Sequence, residues 1–412
     1  MRPLLLVASS SLLVLAAACG ANGQTAQTAQ TEAEGAPIES RPANGVGQTP
    51  AFEGQTRAPG VRTEQALSTA VVASNLVHPW GLALLPDGRW LVTERPGRLR
   101  IISAEGQIGA PISGLPAVDA RGQGGLLDVV LSPTFASDRT IFWSYAAPRD
   151  GGNATSVARG RLSDDGTSVT EVRVIFRALP TYDGDKHFGS SLAFSQDGKL
   201  FVTLGERSDK PMRPQAQQLG SHMGKVIRIN ADGSVPEDNP FVGQAGALPE
   251  IWSLGHRNVQ GIAVQPGTGA IWTIEHGTKG GDELNLTEAG KNYGWPIIAY
   301  GVEYQGGPIN EGITAREGLE QPDYYWDPVI APGGQAFYAG AMFPGWDGNL
   351  LVAGLGSKSI NRLVLEDGRV VGEEALITDF GKRIRDVAVG ADGAVWAITD
   401  EEDGQLIRIS AQ

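Results

Sequence analysis

The sequence GLALLPDGRWLVTER, residues 81–95, decides the fold. Two apolar runs flank the dipeptide formed by Asp87 and Gly88, and Asp-Gly between such runs is a strong signal for a β-hairpin. The same pattern occurs six times along the chain, which predicts a repeat architecture. The other five copies are LDVVLSPTFASDRTIFWSY (127–145), SLAFSQDGKLFVTLGE (191–206), GIAVQPGTGAIWTIE (261–275), AFYAGAMFPGWDGNLLVAGL (336–355) and DVAVGADGAVWAITD (386–400).

Additional strands complete the repeating unit. A third strand follows most copies, and a fourth, outer strand is predicted at residues 169–179 and 371–380. Four antiparallel strands repeated six times indicate an all-β, six-bladed β-propeller over residues 65–412. The last blade is one strand short, and ALSTAVVASNL (66–76) is predicted to complete it by pairing with residues 406–410. That pairing would close the ring and remove its exposed edges.

Composition agrees with an all-β protein and excludes one class of partner. The chain has 412 residues with 56 glycines and 25 prolines, and no stretch has the pattern of a long amphipathic helix. Its net charge of −13 provides no basic surface that could neutralise phosphates. A nucleic-acid partner is therefore not expected.

The N-terminus has the features of an export signal. Residues 1–19, MRPLLLVASSSLLVLAAAC, combine Arg2 with an apolar run and small residues before Cys19. Cys19 is the only cysteine, and its position after three alanines is similar to a bacterial lipobox. We expect cleavage before Cys19 and lipidation, giving a periplasmic or cell-envelope lipoprotein that contacts the membrane only through its lipid anchor. Cleavage of an ordinary secretory signal is the alternative.

Residues 20–64 are predicted to be a disordered linker. They are rich in Gln, Thr, Ala, Gly, Pro and Glu and have almost no large apolar side chains. Such a composition cannot bury enough apolar surface to offset the entropy lost on folding.

Polar, glycine-rich segments precede five of the six copies and should meet around the propeller axis, where function is expected. Three arginines around one axial cavity would suit a planar ligand with several negative charges, because guanidinium groups bind carboxylates and stack on rings. The alternative for Arg383 and Arg385 is a strand start that pairs with acidic surface groups. The candidates in these segments are Gln123, His187, Arg257, Asn258, Arg383 and Arg385.

One of the five histidines is a candidate general base. His187 opens a blade beside glycine and serine, with no carboxylate predicted to fix it as a metal ligand. An imidazole accepts a proton near neutral pH, which suits it to this role. A structural hydrogen bond is the alternative for any single histidine.

The stretch EHGTKGGDELNLTEAGKNYGWP, residues 275–296, is too polar and glycine-rich for core. Glu275, Asp282, Glu283 and Glu288 offer the hard oxygen ligands that calcium prefers, and the glycines allow backbone carbonyls to approach an ion. The stretch therefore predicts a calcium-binding loop, and a solvated surface loop is the alternative.

Several familiar motifs are missing from the sequence. It contains no zinc signature, P-loop, dinucleotide fingerprint or nucleophile elbow. Nicotinamide chemistry on a Rossmann motif and serine hydrolysis are therefore not indicated. The sequence also lacks a CxxCH haem motif, so the electrons of any redox reaction would pass to another molecule.

Six motifs together resemble one family. HFGSSLAF, GHRNVQGIAV, EHGTKGGDELNL, GKNYGWP, DPVIAPGG and RIRDVAV are similar to those of the soluble quinoprotein aldose sugar dehydrogenases, relatives of the soluble glucose dehydrogenases. The resemblance extends from about residue 67 to the C-terminus. It implies a six-bladed propeller, monomeric or homodimeric, that uses pyrroloquinoline quinone (PQQ) and calcium. The implied reaction oxidises the anomeric carbon of aldose sugars to lactones and passes electrons to an external acceptor.

The resemblance also implies roles for individual residues. His187 would be the catalytic base, and Arg257 would stabilise the developing oxyanion. The carbonyls of Gly277 and Thr278 would bind the calcium ion of the cofactor, while Glu283 and Tyr293 would bind a separate structural calcium. The implied cofactor contacts are Gln123, Arg257, Asn258, Tyr304, Gly356, Ser357, Lys358, Arg383 and Arg385.

The residues leave some points open. Lys186 stands where some glucose-specific relatives carry an aspartate, so a preference for glucose is not implied. Two other classes of function are alternatives: a cofactor-free propeller that binds carbohydrate or protein, and a calcium-dependent lactonase. The lactonase would need several carboxylates near the axis.

Overall fold

The computed structural model describes residues 35–412, so the predicted export signal and Cys19 lie outside the described residues. No helix within this part of the chain is long and apolar enough to cross a membrane. Its helical structure is limited to one α-helical turn, Phe135–Asp138, and two 3-10 turns, Arg213–Gln217 and Thr378–Phe380. The strands are β1 (Leu67–Leu76), β2 (Pro79–Leu84), β3 (Trp90–Glu94), β4 (Arg98–Ile102), β5 (Leu126–Leu131), β6 (Thr140–Arg149), β7 (Gly152–Leu162), β8 (Val169–Arg177), β9 (Leu192–Phe194), β10 (Leu200–Thr203), β11 (Lys225–Ile229), β12 (Ile251–Leu254), β13 (Val259–Val264), β14 (Ile271–Glu275), β15 (Asp282–Leu286), β16 (Tyr324–Trp326), β17 (Pro332–Phe337), β18 (Leu350–Gly354), β19 (Ile360–Glu366), β20 (Arg369–Leu376), β21 (Ile384–Val389), β22 (Val395–Thr399) and β23 (Gly404–Ala411).

These strands form six antiparallel sheets, the blades of a propeller. The six predicted hairpins are all present, as β2–β3, β5–β6, β9–β10, β13–β14, β17–β18 and β21–β22. The predicted outer strands are β8 and β20. The prediction of a six-bladed all-β propeller is confirmed.

Blade 1 differs from the prediction because it has three strands, β2-β3-β4, whereas the other five blades have four. Residues 108–112 lie beside β4, where Gly109 N donates to Ile101 O at 2.8 Å and Ile112 N donates to Leu99 O at 2.9 Å. Between these two bonds stands Pro111, which has no N–H to contribute to a ladder. The segment therefore accompanies β4 without becoming a regular strand.

Both ends of the propeller domain build blade 6, as predicted. Strand β1 pairs antiparallel with β23, from Leu67 opposite Ala411 to Leu76 opposite Gly404, and the sheet order is β1-β23-β22-β21. The seam between blades 6 and 1 is filled by a cluster of buried side chains in which the Trp90 and Trp396 ring centroids lie 5.2 Å apart. Closure thus combines a hydrogen-bonded ladder with apolar packing.

The tight turns follow the Asp-Gly signal. In the first hairpin, Leu85 N donates to Arg89 O at 2.8 Å and Gly88 N donates to Leu85 O at 2.9 Å. Gly88 has a φ of 86°, a left-handed conformation that glycine adopts without steric cost. The turns at residues 195–199 and 390–394 repeat both hydrogen bonds.

Apolar clusters between neighbouring blades make the core. All residues of the middle strands β3, β14, β18 and β22 are buried, because each sheet is covered on both faces. This explains the nearly continuous apolar runs in the repeats, since a sheet with two buried faces does not alternate apolar and polar residues.

Residues 35–64, which we call the strap, lie against the outer strands of blades 4 and 5. Gly60 forms a parallel bridge with Glu373 of β20, and Ala58 N donates to the Tyr324 hydroxyl of β16 at 2.9 Å. Gln55 is fully buried, and its amide nitrogen donates to Pro322 O at 2.8 Å.

The prediction of a disordered linker over residues 20–64 therefore does not hold for the strap. Backbone and side-chain amide hydrogen bonds to the propeller hold this segment in place. The prediction of disorder considered only the apolar residues of the segment itself and so did not take these bonds into account. Residues 20–34 lie outside the described residues.

Two residues that pair across the closing strands should contribute unequally to the stability of the propeller. Ile407 is 0% exposed within the core of blade 6, and Val71, directly opposite on β1, is 47% exposed. Ile407→Ala should lower the free energy of unfolding by about 2–5 kcal/mol, because it leaves a cavity. Val71→Ala should change it by only about 0.5 kcal/mol. Denaturant unfolding measures both values, and equal losses would contradict the described packing.

Candidate active site

Hydrogen bonds between blades join the predicted rim segments. Gln123 of blade 2 accepts from His187 N at 2.8 Å, and Asn258 of blade 4 accepts from Gly189 N at 3.2 Å. Arg385 of blade 6 donates to the Gln260 side-chain oxygen of blade 4 at 3.0 Å. The structure therefore brings together rim residues from four blades around one centre.

His187 is the buried centre of this arrangement. Its Nδ1 lies 2.7 Å from Glu206 Oε2, and its Nε2 has no hydrogen-bond partner among residues 35–412. Burial lowers the pKa of His187 below its ordinary value, although Glu206 acts in the opposite direction. The ring is therefore neutral at neutral pH. If Nδ1 carries the proton and donates it to Glu206, Nε2 has a free lone pair.

The backbone around this pair adopts unusual conformations. His187 has a φ of 48°, and Arg207 and Ser208, which follow Glu206, have φ values of 72° and 71°. Non-glycine residues in this region store strain, which is found preferentially at functional sites. Gly205 lies so close to the His187 carbonyl that a Cβ there would clash.

Glu206 was missed by the sequence analysis, which expected no carboxylate at His187. Burial would raise the pKa of Glu206, but its interactions with His187, Arg257 and the Ser208 N–H together outweigh burial and keep the pKa below its usual value. Ser208 N donates to the same carboxylate oxygen at 2.6 Å. A signal existed in the sequence, because three copies of the repeat end in an acid: Glu206, Glu275 and Asp400.

Glu275 has the equivalent role in blade 4. Its Oε1 lies 2.8 Å from His256 Nδ1, and its Oε2 accepts from Arg257 N at 2.5 Å and from Asn258 N at 3.3 Å. His256 Nε2 in turn lies 2.8 Å from the Ser253 hydroxyl. This buried network fixes the backbone that carries Arg257 and Asn258.

The Arg257 side chain faces the same region as His187. Its guanidinium donates to His276 O at 3.0 Å and to the Tyr304 hydroxyl at 3.4 Å, and it lies 5.2 Å from the Trp295 ring centroid. Its Nε is buried without a partner among the described residues. Tyr304 is 64% exposed, so its ring has room to contact a ligand.

Asp400 gathers a cluster of arginines between blades 6 and 1. Arg385 donates to Asp400 Oδ2 at 2.8 Å and Arg383 donates to the same oxygen at 3.2 Å. Arg95, which was not predicted, also interacts with this cluster: burial lowers its pKa, the charge of Asp400 raises it, and the positive charges of Arg385 and Arg383 lower it further. One carboxylate thus faces three guanidinium groups, and the excess positive charge suits an anionic ligand.

The turn at residues 356–358 lies beside this cluster. Gly356 N and Ser357 N both donate to Ile330 O, at 2.7 and 3.0 Å, and Arg383 donates to Leu355 O at 3.3 Å. Lys358 is exposed at the end of the turn. Arg383 thus contacts the residue that precedes this turn.

The candidate calcium ligands line a small cavity. Gly277 and Thr278 share it with Glu275 and Glu283. Gly277 N donates to Asp282 Oδ1 at 2.8 Å and Thr278 N donates to Gly280 O at 3.1 Å, whereas no hydrogen bond within residues 35–412 reaches the carbonyl oxygens of Gly277 and Thr278. Free backbone carbonyls beside carboxylates are the donor set that calcium prefers, so these residues fit the ion.

Glu283 belongs to this same cavity. Burial, together with the nearby charge of Glu275, raises the pKa of Glu283 well above its usual value, and its hydrogen-bond partner is Asn285 Nδ2 at 3.5 Å. The Tyr293 hydroxyl instead donates to Leu286 O at 2.5 Å and accepts from Glu288 N at 2.9 Å. The Tyr293 hydroxyl thus bonds to nearby backbone groups, and the structure does not bring it to Glu283.

Part of the predicted calcium loop is a strand. Residues 282–286, DELNL, form β15, the third strand of blade 4, between β14 and β16. Its buried Asp282 accepts from Gly277 N and Ala331 N, at 2.8 and 2.6 Å. These two bonds satisfy a carboxylate that the sequence analysis expected to be open to an ion.

The arginines also fit the cofactor that the resemblance implies. PQQ is a planar ortho-quinone with three carboxylates, and Arg257, Arg385 and Arg95 each have a buried Nε without a partner in the described part of the chain. Guanidinium groups with unused donors are suited to bind carboxylates.

Comparison with known proteins relates the whole propeller to one group of enzymes. The profile of the Glucose / Sorbosone dehydrogenase family matches residues 76–408. The aldose sugar dehydrogenase YliI of Escherichia coli K12 is 44% identical over 349 residues, which are 84% of this chain and 93% of that protein.

Solved structures agree with this relationship. The apo-form of the soluble aldose sugar dehydrogenase of E. coli has a TM-score of 0.81 and 43% identity, and the alignment covers 84% of this chain and all of that one. The PQQ-bound aldose sugar dehydrogenase of Streptomyces coelicolor has a TM-score of 0.69 and 26% identity, with 85% of this chain and all of that one covered. The chain belongs to the Glucose / Sorbosone dehydrogenase family.

Proposed function

We propose that the protein is a PQQ- and calcium-dependent aldose sugar dehydrogenase that oxidises the anomeric carbon of the sugar to a lactone. The observation that carries this proposal is the His187–Glu206 pair, a buried neutral base with Nε2 open, next to Arg257 and the arginine cluster at Asp400. The dehydrogenase names of the relatives support the aldose substrate, and the PQQ-bound relative supports the cofactor.

The chain's own residues would bind the sugar and move its proton. His187 Nε2 accepts the proton of the anomeric hydroxyl, and Glu206 stabilises the imidazolium that results. Arg257 stabilises the negative charge that develops on the sugar oxygen. When bound, PQQ would accept the hydride from the anomeric carbon, and calcium would act as a Lewis acid on the quinone.

The cofactor would be held at two places. Arg383, Arg385 and Arg257 would pair with its carboxylates, assisted by Gln123, Asn258, Tyr304 and the turn at residues 356–358. Gly277 and Thr278 would hold the calcium ion through their carbonyls, with Glu283 in the same cavity. Electrons would then pass to an external acceptor.

The alternative functions have less support. A calcium-dependent lactonase would need several carboxylates around an axial ion, and no group of three or more His, Cys, Asp or Glu side chains suited to a metal occurs in residues 35–412. A cofactor-free binding module would not need a buried base with an open Nε2.

We also propose that the protein is exported and anchored by a lipid at Cys19, on the sequence features of residues 1–19. The strap and propeller would then lie in the periplasm or cell envelope.

Reconstitution tests the proposed reaction. Purified apo-protein with calcium and PQQ should reduce a dye in the presence of aldose sugars. Omitting either PQQ or calcium should abolish the signal. Failure of a broad panel of aldoses to support dye reduction by a protein that has bound PQQ would contradict the proposal.

His187→Ala should lower turnover by roughly 10²- to 10⁴-fold, the contribution typical of a general base. PQQ affinity, measured by quenching of intrinsic fluorescence, should remain close to that of the parent because the arginines are intact. His222→Gln is the matched control, since His222 is a buried histidine whose ring accepts from Leu179 N and faces Glu250 instead of Glu206. Loss of PQQ binding in His187→Ala would make His187 a binding residue instead.

Glu206→Gln should move the acidic limb of the pH profile of kcat/KM. Burial lowers the pKa of His187 and Glu206 raises it, so removing the carboxylate charge lowers the pKa further. In the parent the limb should lie below about pH 6.5, the ordinary value for histidine, and in the variant it should move to still lower pH. The plateau should also fall, because a neutral amide orients and stabilises the imidazolium less well. A limb that stays in place or moves to higher pH would show that Glu206 does not act through His187.

A further inference from the structure

The strap contacts the two segments that frame the candidate calcium ligands. We call residues 277–281 the carbonyl loop. One framing segment, residues 300–302, lies along the loop, and the other ends at Asp327. Both are bonded to the strap through Gln48, Asn44 and Gly45.

Gln48 forms the first contact. Its Nε2 donates to Gly301 O at 3.0 Å, and its Oε1 accepts from Gly301 N at 2.7 Å, so one side chain satisfies both backbone groups of Gly301. The next residue, Val302, bonds the carbonyl loop: its carbonyl accepts from Lys279 N at 3.0 Å and from the Thr278 hydroxyl at 2.6 Å. Gln48 is thus one residue away from the group that holds Thr278.

Asp327 forms the second contact. Its Oδ1 accepts from Asn44 N at 2.8 Å and from Asn44 Nδ2 at 2.7 Å, and its Oδ2 accepts from Gly45 N at 2.8 Å. Asp327 is buried, so these donors offset the cost of desolvating its charge. The carboxylate packs against Gly280, where an added Cβ would lie 2.6 Å from it.

The strap lies outside the part of the chain that matches the family profile, whereas its partners Gly301 and Asp327 lie within it. The family profile begins at residue 76, and the strap ends at residue 64. The E. coli apo-structure is covered completely by an alignment that includes only 84% of this chain.

We propose that the strap is a brace for the carbonyl loop, with Gln48 and Asn44 as positioning residues. By fixing residues 300–302 and Asp327, it holds the Gly277 and Thr278 carbonyls in the arrangement that binds a divalent cation. The identity of that cation as calcium rests on the proposed function. The positioning of the carbonyl loop does not rest on the proposed function, because the hydrogen bonds within the chain determine it.

The test uses Gln48→Ala in the full chain, with Asn44→Ala as a second variant. The control is Thr63→Ala, at the other end of the strap, because the Thr63 hydroxyl donates to Glu374 Oε2 at 2.7 Å and has no bond to the framing segments. Hydrogen–deuterium exchange reports the loop through Lys279 N and Gly281 N, which donate to Val302 O and Trp326 O. Calorimetry of calcium added to apo-protein reports the cation site.

Gln48→Ala should speed exchange at Lys279 and weaken calcium binding, each by about tenfold, because Gly301 loses both of its partners. Asn44→Ala should change both quantities in the same direction, with the larger effect at Gly281, which lies beside Asp327. Thr63→Ala should leave both quantities unchanged, even if it lowers the temperature of unfolding.

Unchanged exchange at Lys279 in Gln48→Ala, or equal effects in Thr63→Ala, would overturn the proposal. Faster exchange with unchanged calcium affinity would overturn it as well, since the loop would then not control the site. If the parent bound no calcium, the proposed cofactor chemistry would fail, and exchange at Lys279 and Gly281 would alone decide whether the strap braces the loop.

Discussion

Buried pairs of a carboxylate and a base fix the centre of this propeller. In three blades an acid at or just beyond the end of the middle strand holds a base at the start of the inner strand: Glu206 holds His187, Glu275 holds His256, and Asp400 holds Arg385. A buried charge without a partner is costly, so each acid determines where its base lies. Because the middle strand is fully buried in each of these three blades, the rigid core positions the base. Ring closure by β1 and β23 then brings the blades, and with them the bases, around one axis.

The site contains two kinds of polar group, a proton acceptor and a set of hydrogen-bond donors. His187 is buried and neutral with one nitrogen open, whereas the arginines keep donors that the described protein does not use. A neutral base accepts a proton, and the unused guanidinium donors bind carboxylates. The cavity of Gly277 and Thr278 adds free carbonyl oxygens, which favour a hard cation. In the proposed function, the proton would be accepted on blade 3 and the anion bound by Arg385 on blade 6, whereas Arg257 and the Gly277 and Thr278 carbonyls lie together on blade 4.

Much of the fold could be predicted from the sequence because the repeat is local. Asp-Gly turns and flanking apolar runs specify each hairpin within about 15 residues. Glu206 was missed because it is far from His187 along the chain, and the pairing depends on how the hairpin folds back. The order of the strap was missed because composition reports only the apolar content of a segment. It contains no information about the hydrogen bonds that the segment forms with the propeller. DELNL was predicted to be a loop because its two acids were given more weight than its alternation of polar and apolar residues. In the structure it is a strand, and two backbone N–H groups donate to the buried Asp282 carboxylate.

In the proposed holoenzyme, the unused arginine donors and the free carbonyls would form one binding site for a quinone with three carboxylates and its calcium ion. A crystal structure of the protein soaked with calcium and PQQ tests this most directly. We expect PQQ on the propeller axis, with carboxylates bonded to Arg385 and Arg257, its ring next to His187, and calcium bound by the carbonyls of Gly277 and Thr278. PQQ bound away from the axis, or an axial ligand that leaves these arginines and carbonyls without contacts, would contradict it.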